Sequence, residues 1–203
     1  MLELLNQRLG RLHRALAGLA TDDLSSIRAD IMSGNGVRYA HVDFSLNSDP
    51  NELANKAYLL IANIASLKDH LKLWCNQRNL QFEGDKLIDS NISVALIHDL
   101  WNLDKHAALD KKPRSGRVPK LTGLRTSLVT SAGTEPGGAA FFTMDPFTGK
   151  MTSGSSGGGS VRLALEAQIV DEAGTTIADF TETCQKAVEE WSKVLKAAGV
   201  SIA

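Results

Sequence analysis

The chain has 203 residues, of which 43% are apolar and 22% charged, and a formal net charge of −1. That is enough apolar material for a core of ordinary size, and near-neutrality excludes a global attraction to nucleic acid or membrane. Cys75 and Cys184, the two cysteines, sit far apart on apolar stretches and read as free thiols of a reducing, cytoplasmic protein, with no Cys/His cluster for zinc.

The first helix is written in Leu2, Leu5, Leu9, Leu12, Leu16 and Leu19, whose alternating spacing of three and four puts them on one face. Either this stripe packs inside the protein or it meets a second copy of itself. Glu3, Gln7, Arg8, Arg11 and Arg14 interrupt the segment, so it reads as neither a signal peptide nor a membrane span, and no run reaches about 18 apolar residues. Thr21 is an expected N-cap for a short helical piece from Asp22 to Met32, stopped by Gly34 and Gly36. Beyond it, Ala40, Val42, Phe44 and Leu46 alternate with His41, Asp43 and Ser45, the pattern of a half-buried extended segment.

Asp49 before Pro50, with Glu52 three residues on, is a strong helix start. The helix that follows carries Leu53, Ala57, Leu60, Ile64, Leu67, Leu71 and Trp74 on one stripe, a spine expected to reach about Gln77. A third long helix is predicted from about Asp89 to Ala108 and a fourth from about Thr176 to Ala198, ending at Gly199. Between them Leu124 to Thr130, Ala139 to Met144 and Val161 to Val170 read as strands, while Gly133, Pro136-Gly137-Gly138 and the stretch Ser153 to Ser160 read as turns and a flexible tip. The expected fold class is α+β, mainly α: a bundle of about four long helices with a small antiparallel sheet inserted before the last. One domain, 1–203, would comprise a helical core of about 1–32, 50–108 and 175–199 and a β insertion of about 117–171.

The chemistry concentrates in Trp101-Asn102-Leu103-Asp104-Lys105-His106 and the basic stretch after it. At about 100° per residue, His98, Asp99, Asn102, Lys105 and His106 share a polar arc, and Asn102 neighbours both His98 and His106. His106 with Asn102 and Lys105 suits acid–base chemistry near neutral pH; the other reading is a solvated face whose Lys and His suit a helix C-terminus. Asp104 falls inside the apolar arc, where a lone carboxylate would be costly. Lys68, beside the spine's apolar stripe, or another cation such as Arg78, is its expected partner in a structural ion pair. Lys111, Lys112, Arg114, Arg117 and Lys120, broken by two prolines and a glycine, form a loop that either neutralises phosphates of RNA or DNA or is simply solvated. No aromatic is interleaved for base stacking. No phosphate-binding P-loop, nucleophile elbow or metal-ligand spacing occurs, so no metal and no cofactor are expected.

A helical bundle with Asn102 and His106 near the end of a core helix resembles the HEPN-like domains. That family comprises helical bundles, often dimeric, found in toxins, antiviral defence and RNA processing. Its ribonucleases use an Arg, a following polar residue and a His. Here the polar residue and the His keep that spacing, and Trp101 stands at the Arg position. The Asn-x-Asp-Lys-His string is also similar to that of small bacterial proteins with the same helix-then-sheet layout. The resemblance implies RNA binding or metal-independent RNA cleavage by a homodimer. Without the Arg, Lys105 or a cation of the 111–120 loop stabilises the transition state, or the fold is kept for binding alone. The alternative, from another class, is a non-catalytic interaction module that binds a protein partner through its β insertion or its leucine-rich helix face.

Overall fold

The structure is a computed structural model that describes residues 2–21, 23–24, 27–34, 37–43, 49–106 and 112–200. Its elements run α1 (Leu2–Ala17), β1 (Ala20–Thr21), β2 (Arg28–Gly34), β3 (Val37–Asp43), α2 (Pro50–Ala65), α3 (Leu67–Arg78), α4 (Gly84–Ser90), α5 (Ile92–His106), β4 (Lys120–Ser131), β5 (Ala139–Met144), β6 (Met151–Ser156), β7 (Ser160–Val170), β8 (Thr176–Asp179) and α6 (Phe180–Ala197). The chain divides into two compact units, one of Met1–Ala17, Asn51–Leu124 and Glu166–Ala203, the other of Gly18–Pro50 and Arg125–Leu165.

The first unit is helical. Helix α2 begins at Pro50, where the proline's missing N–H is no loss. It passes into α3 across Ser66, whose N–H still donates to Ala62 and whose carbonyl still accepts from His70. The spine is thus nearly continuous and stops at Asn79, a left-handed residue with φ 55°. Helix α1 lies on α3, and its Leu5, Leu9 and Leu12 are buried within the chain, so the stripe takes its internal alternative. Helix α6 is capped by Asp179, whose carboxylate accepts the Glu182 N–H at 2.8 Å. Its core face sets Phe180, Cys184, Ala187, Trp191 and Leu195 in the interior, and it packs on α5 and α4. Its end is held by Trp74, whose Nε1 donates to the Ala198 carbonyl at 3.1 Å.

The second unit is built from strands. Strands β2 and β3 form an antiparallel hairpin from Arg28↔Asp43 to Gly34↔Val37, and β5 and β6 another from Ala139↔Ser156 to Met144↔Met151. Strand β7 pairs with β1 through Ala164 and Leu163. Leu24, Ile27, Val161 and Leu163 make this unit's core, with Val42, Leu128, Ala140, Phe142 and Met151 packed against it. Further along, within the helical unit, β7 pairs with β8, and β4 is its other neighbour in the sheet.

The expectation of four long helices with one small sheet is overturned. Six helices and eight strands occur among the described residues, in one four-stranded sheet and two hairpins. Three local causes account for the difference. The stretch read as a helix from Asp22 to Met32 enters β2, because Leu24 and Ile27 are claimed by the strand core rather than by a helical face. The third helix expected from about Asp89 is α5, which starts at Ile92 with the Asn91 side-chain oxygen accepting the Val94 N–H at 3.1 Å, and a short helix that was not expected, α4, precedes it. The supposed flexible tip is strand β6 and a two-residue turn, since a Gly/Ser strand lacks the alternation by which strands are recognised. Phe44 and Leu46 lie outside the described residues.

Candidate functional site: the end of helix α5 and the segment it holds

Helix α5 carries one buried acid, and it organises the surroundings. Asp99 is 2% exposed. Its Oδ1 accepts the Arg114 N–H at 3.1 Å; its Oδ2 accepts the Ser115 N–H at 2.8 Å and the Ser115 hydroxyl at 2.7 Å. Two backbone donors and one hydroxyl therefore converge on one carboxylate, the arrangement that makes a buried charge tolerable. The segment is shaped to reach it: Gly116 donates back to Pro113 at 3.1 Å and takes φ 76°, a turn that glycine closes without strain.

The Arg114 side chain leaves the turn in another direction. Its guanidinium contacts Asp89 at 2.7 Å and Asp85 at 3.4 Å, and Asp85 also takes Lys68 at 2.8 Å. The hydrogen bond from Lys68, more than any other influence, holds the Asp85 carboxyl below its ordinary range. Lys68 is accordingly not the partner of Asp104. The cation faces α4, an element that periodicity did not reveal, and Asp104 is exposed.

On the same helix Asn102 is half-buried, and its amide nitrogen lies 3.0 Å from His98 Nδ1. An amide N–H2 can only donate, so Nδ1 accepts and the imidazole proton sits on Nε2. Burial, then Lys68 and then Arg114 push the His98 pKa below 6.5, while Asp99 and Asp69 act the other way. Asn102 thus serves His98 rather than His106. Lys105 and His106 close the helix, both exposed.

His98 and His70 give the protein a pH signature. The His70 pKa is also lowered, by burial first and then by Arg8, with Asp69 opposing and Arg11 adding to the fall. A histidine that resists protonation when folded contributes stability that is complete above its unfolded value and is lost as pH falls below it. Unfolding free energy is therefore expected to decline from about pH 6.5 downward. His70→Gln with His98→Gln should flatten that decline in urea titrations run at several pH values. An equally steep slope in the double variant would show that other groups cause it.

The rest of the basic stretch is arranged differently from Arg114. Lys112, Arg117 and Lys120 are exposed, and Lys111 lies outside the described residues. Beside them is a cleft of about 360 Å³ lined by Tyr58, Leu100, Leu103, Asp104, Val118, Pro119, Lys120 and Leu121. Burial, and secondarily the charge of Asp104, raise the Tyr58 pKa above 10.0, so its hydroxyl stays protonated.

The sequence located α5 and the basic segment as the place to look, and the structure brings Asn102, Asp104, Lys105, His106 and Lys120 to one end of the helical unit. Asp99, read as part of the polar arc, is instead buried, and Asp85, Asp89, Ser115 and Tyr58 were not singled out. Asp99 and Ser115 are sixteen residues apart, a separation no periodicity carries, although an acid followed by a Pro-x-Ser-Gly turn is a usable cue. Among the described residues no group of His, Cys, Asp and Glu is arranged to hold a metal ion, and no helix is long and apolar enough to cross a membrane. Comparison of the chain with protein-family models, with curated proteins and with solved structures finds no match.

Proposed function

We propose that this protein binds RNA through its phosphodiester backbone, on the surface formed by the end of α5 and the 112–120 segment. One observation carries the reading. Arg114 is spent on Asp85 and Asp89, whereas Lys105, Lys112, Arg117 and Lys120 are exposed and have no ion-pair partner among the described residues. Uncompensated cations gathered on a segment that a buried carboxylate holds in place are what a polyanion recognises. The net charge of −1 keeps the attraction local. Cys75 and Cys184 are free and buried, which suits a reducing compartment such as the cytoplasm. The reading keeps the RNA side of the HEPN-like resemblance. Cleavage of the RNA by the wild-type chain, abolished in His106→Ala, would extend the reading to catalysis.

The test is fluorescence anisotropy with a labelled single-stranded RNA at rising salt. With about 0.7 counterions released per phosphate contact on a single strand, four cations give a log–log slope of roughly −3, so affinity falls roughly 50-fold for a fourfold rise in salt. Replacing Lys105, Lys112, Arg117 and Lys120 together by Ala should bring the slope close to zero. Absence of binding at low salt, or a slope that survives the fourfold replacement, refutes the reading.

A further inference from the structure

The cleft beside this surface shares Lys120 with it and adds groups that the phosphate contacts leave unused. Asp104, from α5, and Lys120, from the start of β4, both line it, yet they are not paired with each other, and neither has a hydrogen-bond or ion-pair partner among the described residues. An acid and a base that share a cleft without meeting leave room for a ligand with N–H donors at one side and negative charge at the other. The walls between them are apolar: Leu100, Leu103, Val118, Pro119 and Leu121. A flat ring fits such walls, and the volume of about 360 Å³ lies at the small end of ligand sites, which run from about 300 to 1,000 Å³.

We propose that this cleft is a guanine pocket, in which Asp104 accepts from N1–H and the 2-amino group of an unstacked guanine while Lys120 meets its phosphate. The proposal rests on the reading that the chain binds RNA, and it names the base that RNA presents. Sequence-specific recognition of RNA works largely on single-stranded bases splayed out of the stack and read on their Watson–Crick edges. A carboxylate only accepts hydrogen bonds. Guanine alone offers two adjacent donors on that edge; adenine, cytosine and uracil interleave donors with acceptors, so a carboxylate meets one group and is opposed by the next. The protonated Tyr58 hydroxyl supplies a donor in the same cleft, which an acceptor on the guanine ring can use.

Isothermal titration of the full chain with 5′-GMP, AMP, CMP and UMP tests this. GMP should bind roughly 10-fold or more tighter than the others, the discrimination a good bidentate contact supplies. In Asp104→Asn, with circular dichroism unchanged, that preference should shrink to about twofold or less, because the amide presents a donor to one of guanine's own donors. Equal affinities for the four nucleotides overturn the pocket, as does a preference that survives Asp104→Asn. Salt-sensitive binding of an adenine-only RNA by the wild-type chain reads the backbone surface separately. If that binding is present while GMP is not preferred, the pocket alone fails; if it is absent too, the RNA reading fails with it.

Discussion

Asp99→Ala should lower the unfolding free energy by about 3 kcal/mol and release the segment around Ser115, the size expected when buried donors to a charged acceptor lose their partner. The Arg114 N–H, the Ser115 N–H and the Ser115 hydroxyl all end on this carboxylate, at a residue 2% exposed. Alanine leaves them either unpaired or hydrated at the expense of the turn. Asp99→Asn should fall between, since the amide keeps one acceptor oxygen and turns a donor toward another donor. Urea denaturation gives the magnitude, and limited trypsin digestion reports the segment through cleavage after Arg114 and Arg117. An unchanged midpoint with an unchanged tryptic pattern would show that the surface pairs of Arg114 hold the segment by themselves. That outcome runs against the small contribution of exposed ion pairs.

A comparable loss is expected in the strand unit from Gly133→Ala. A Cβ on Gly133 would overlap the backbone carbonyl of Gly157, and one on Gly159 would overlap the carbonyl of Ala139. The obstructing atoms are main chain, which cannot rotate aside as a side chain can. Overfilling of this kind usually costs about 1–3 kcal/mol, occasionally more, and rigid backbone on the other side puts this case near about 3 kcal/mol. Faster amide exchange in β5, β6 and the adjoining part of β7, with α5 and α6 protected as before, would show the damage confined to this unit. Wild-type exchange throughout would mean that the loops part easily.

What the sequence disclosed depended on how local each cause is. Helix α2 begins at Pro50, where Asp49, Pro50 and Glu52 put it, and the core face of α6 is written in its own spacing; the last helix nevertheless starts at Phe180, and Thr176–Asp179, expected as its first turn, is strand β8. The strands at Ala139–Met144 and near Val161–Val170 were likewise visible in their alternation. Strand β2 was not, because Leu24, Ile27 and Ile31 are also spaced as a helix face would be. The burial of Leu24 and Ile27 with Val161 and Leu163 comes from a segment more than a hundred residues away. The same distance rule divides the site. The cationic stretch and the Asn102–His106 spacing are local and were found. The aspartates that neutralise Arg114 were invisible, as was the departure of Lys68 from Asp104, because α4, which carries Asp85 and Asp89, lies in a stretch where no helix was expected.

The two kinds of bond that secure and expose the basic segment respond to ionic strength in opposite ways. Its attachment through Asp99 is buried and made of short hydrogen bonds, which counterions do not reach. Its outward cations are fully open to them. Moderate salt should therefore strip a bound polyanion and leave the receiving surface assembled, so release needs no unfolding and the same molecules can be reloaded by dilution. Under the proposed RNA reading, the protein would act as a reversible ion exchanger on a fixed support, its capacity set by the surrounding electrolyte and its shape by one hidden carboxylate.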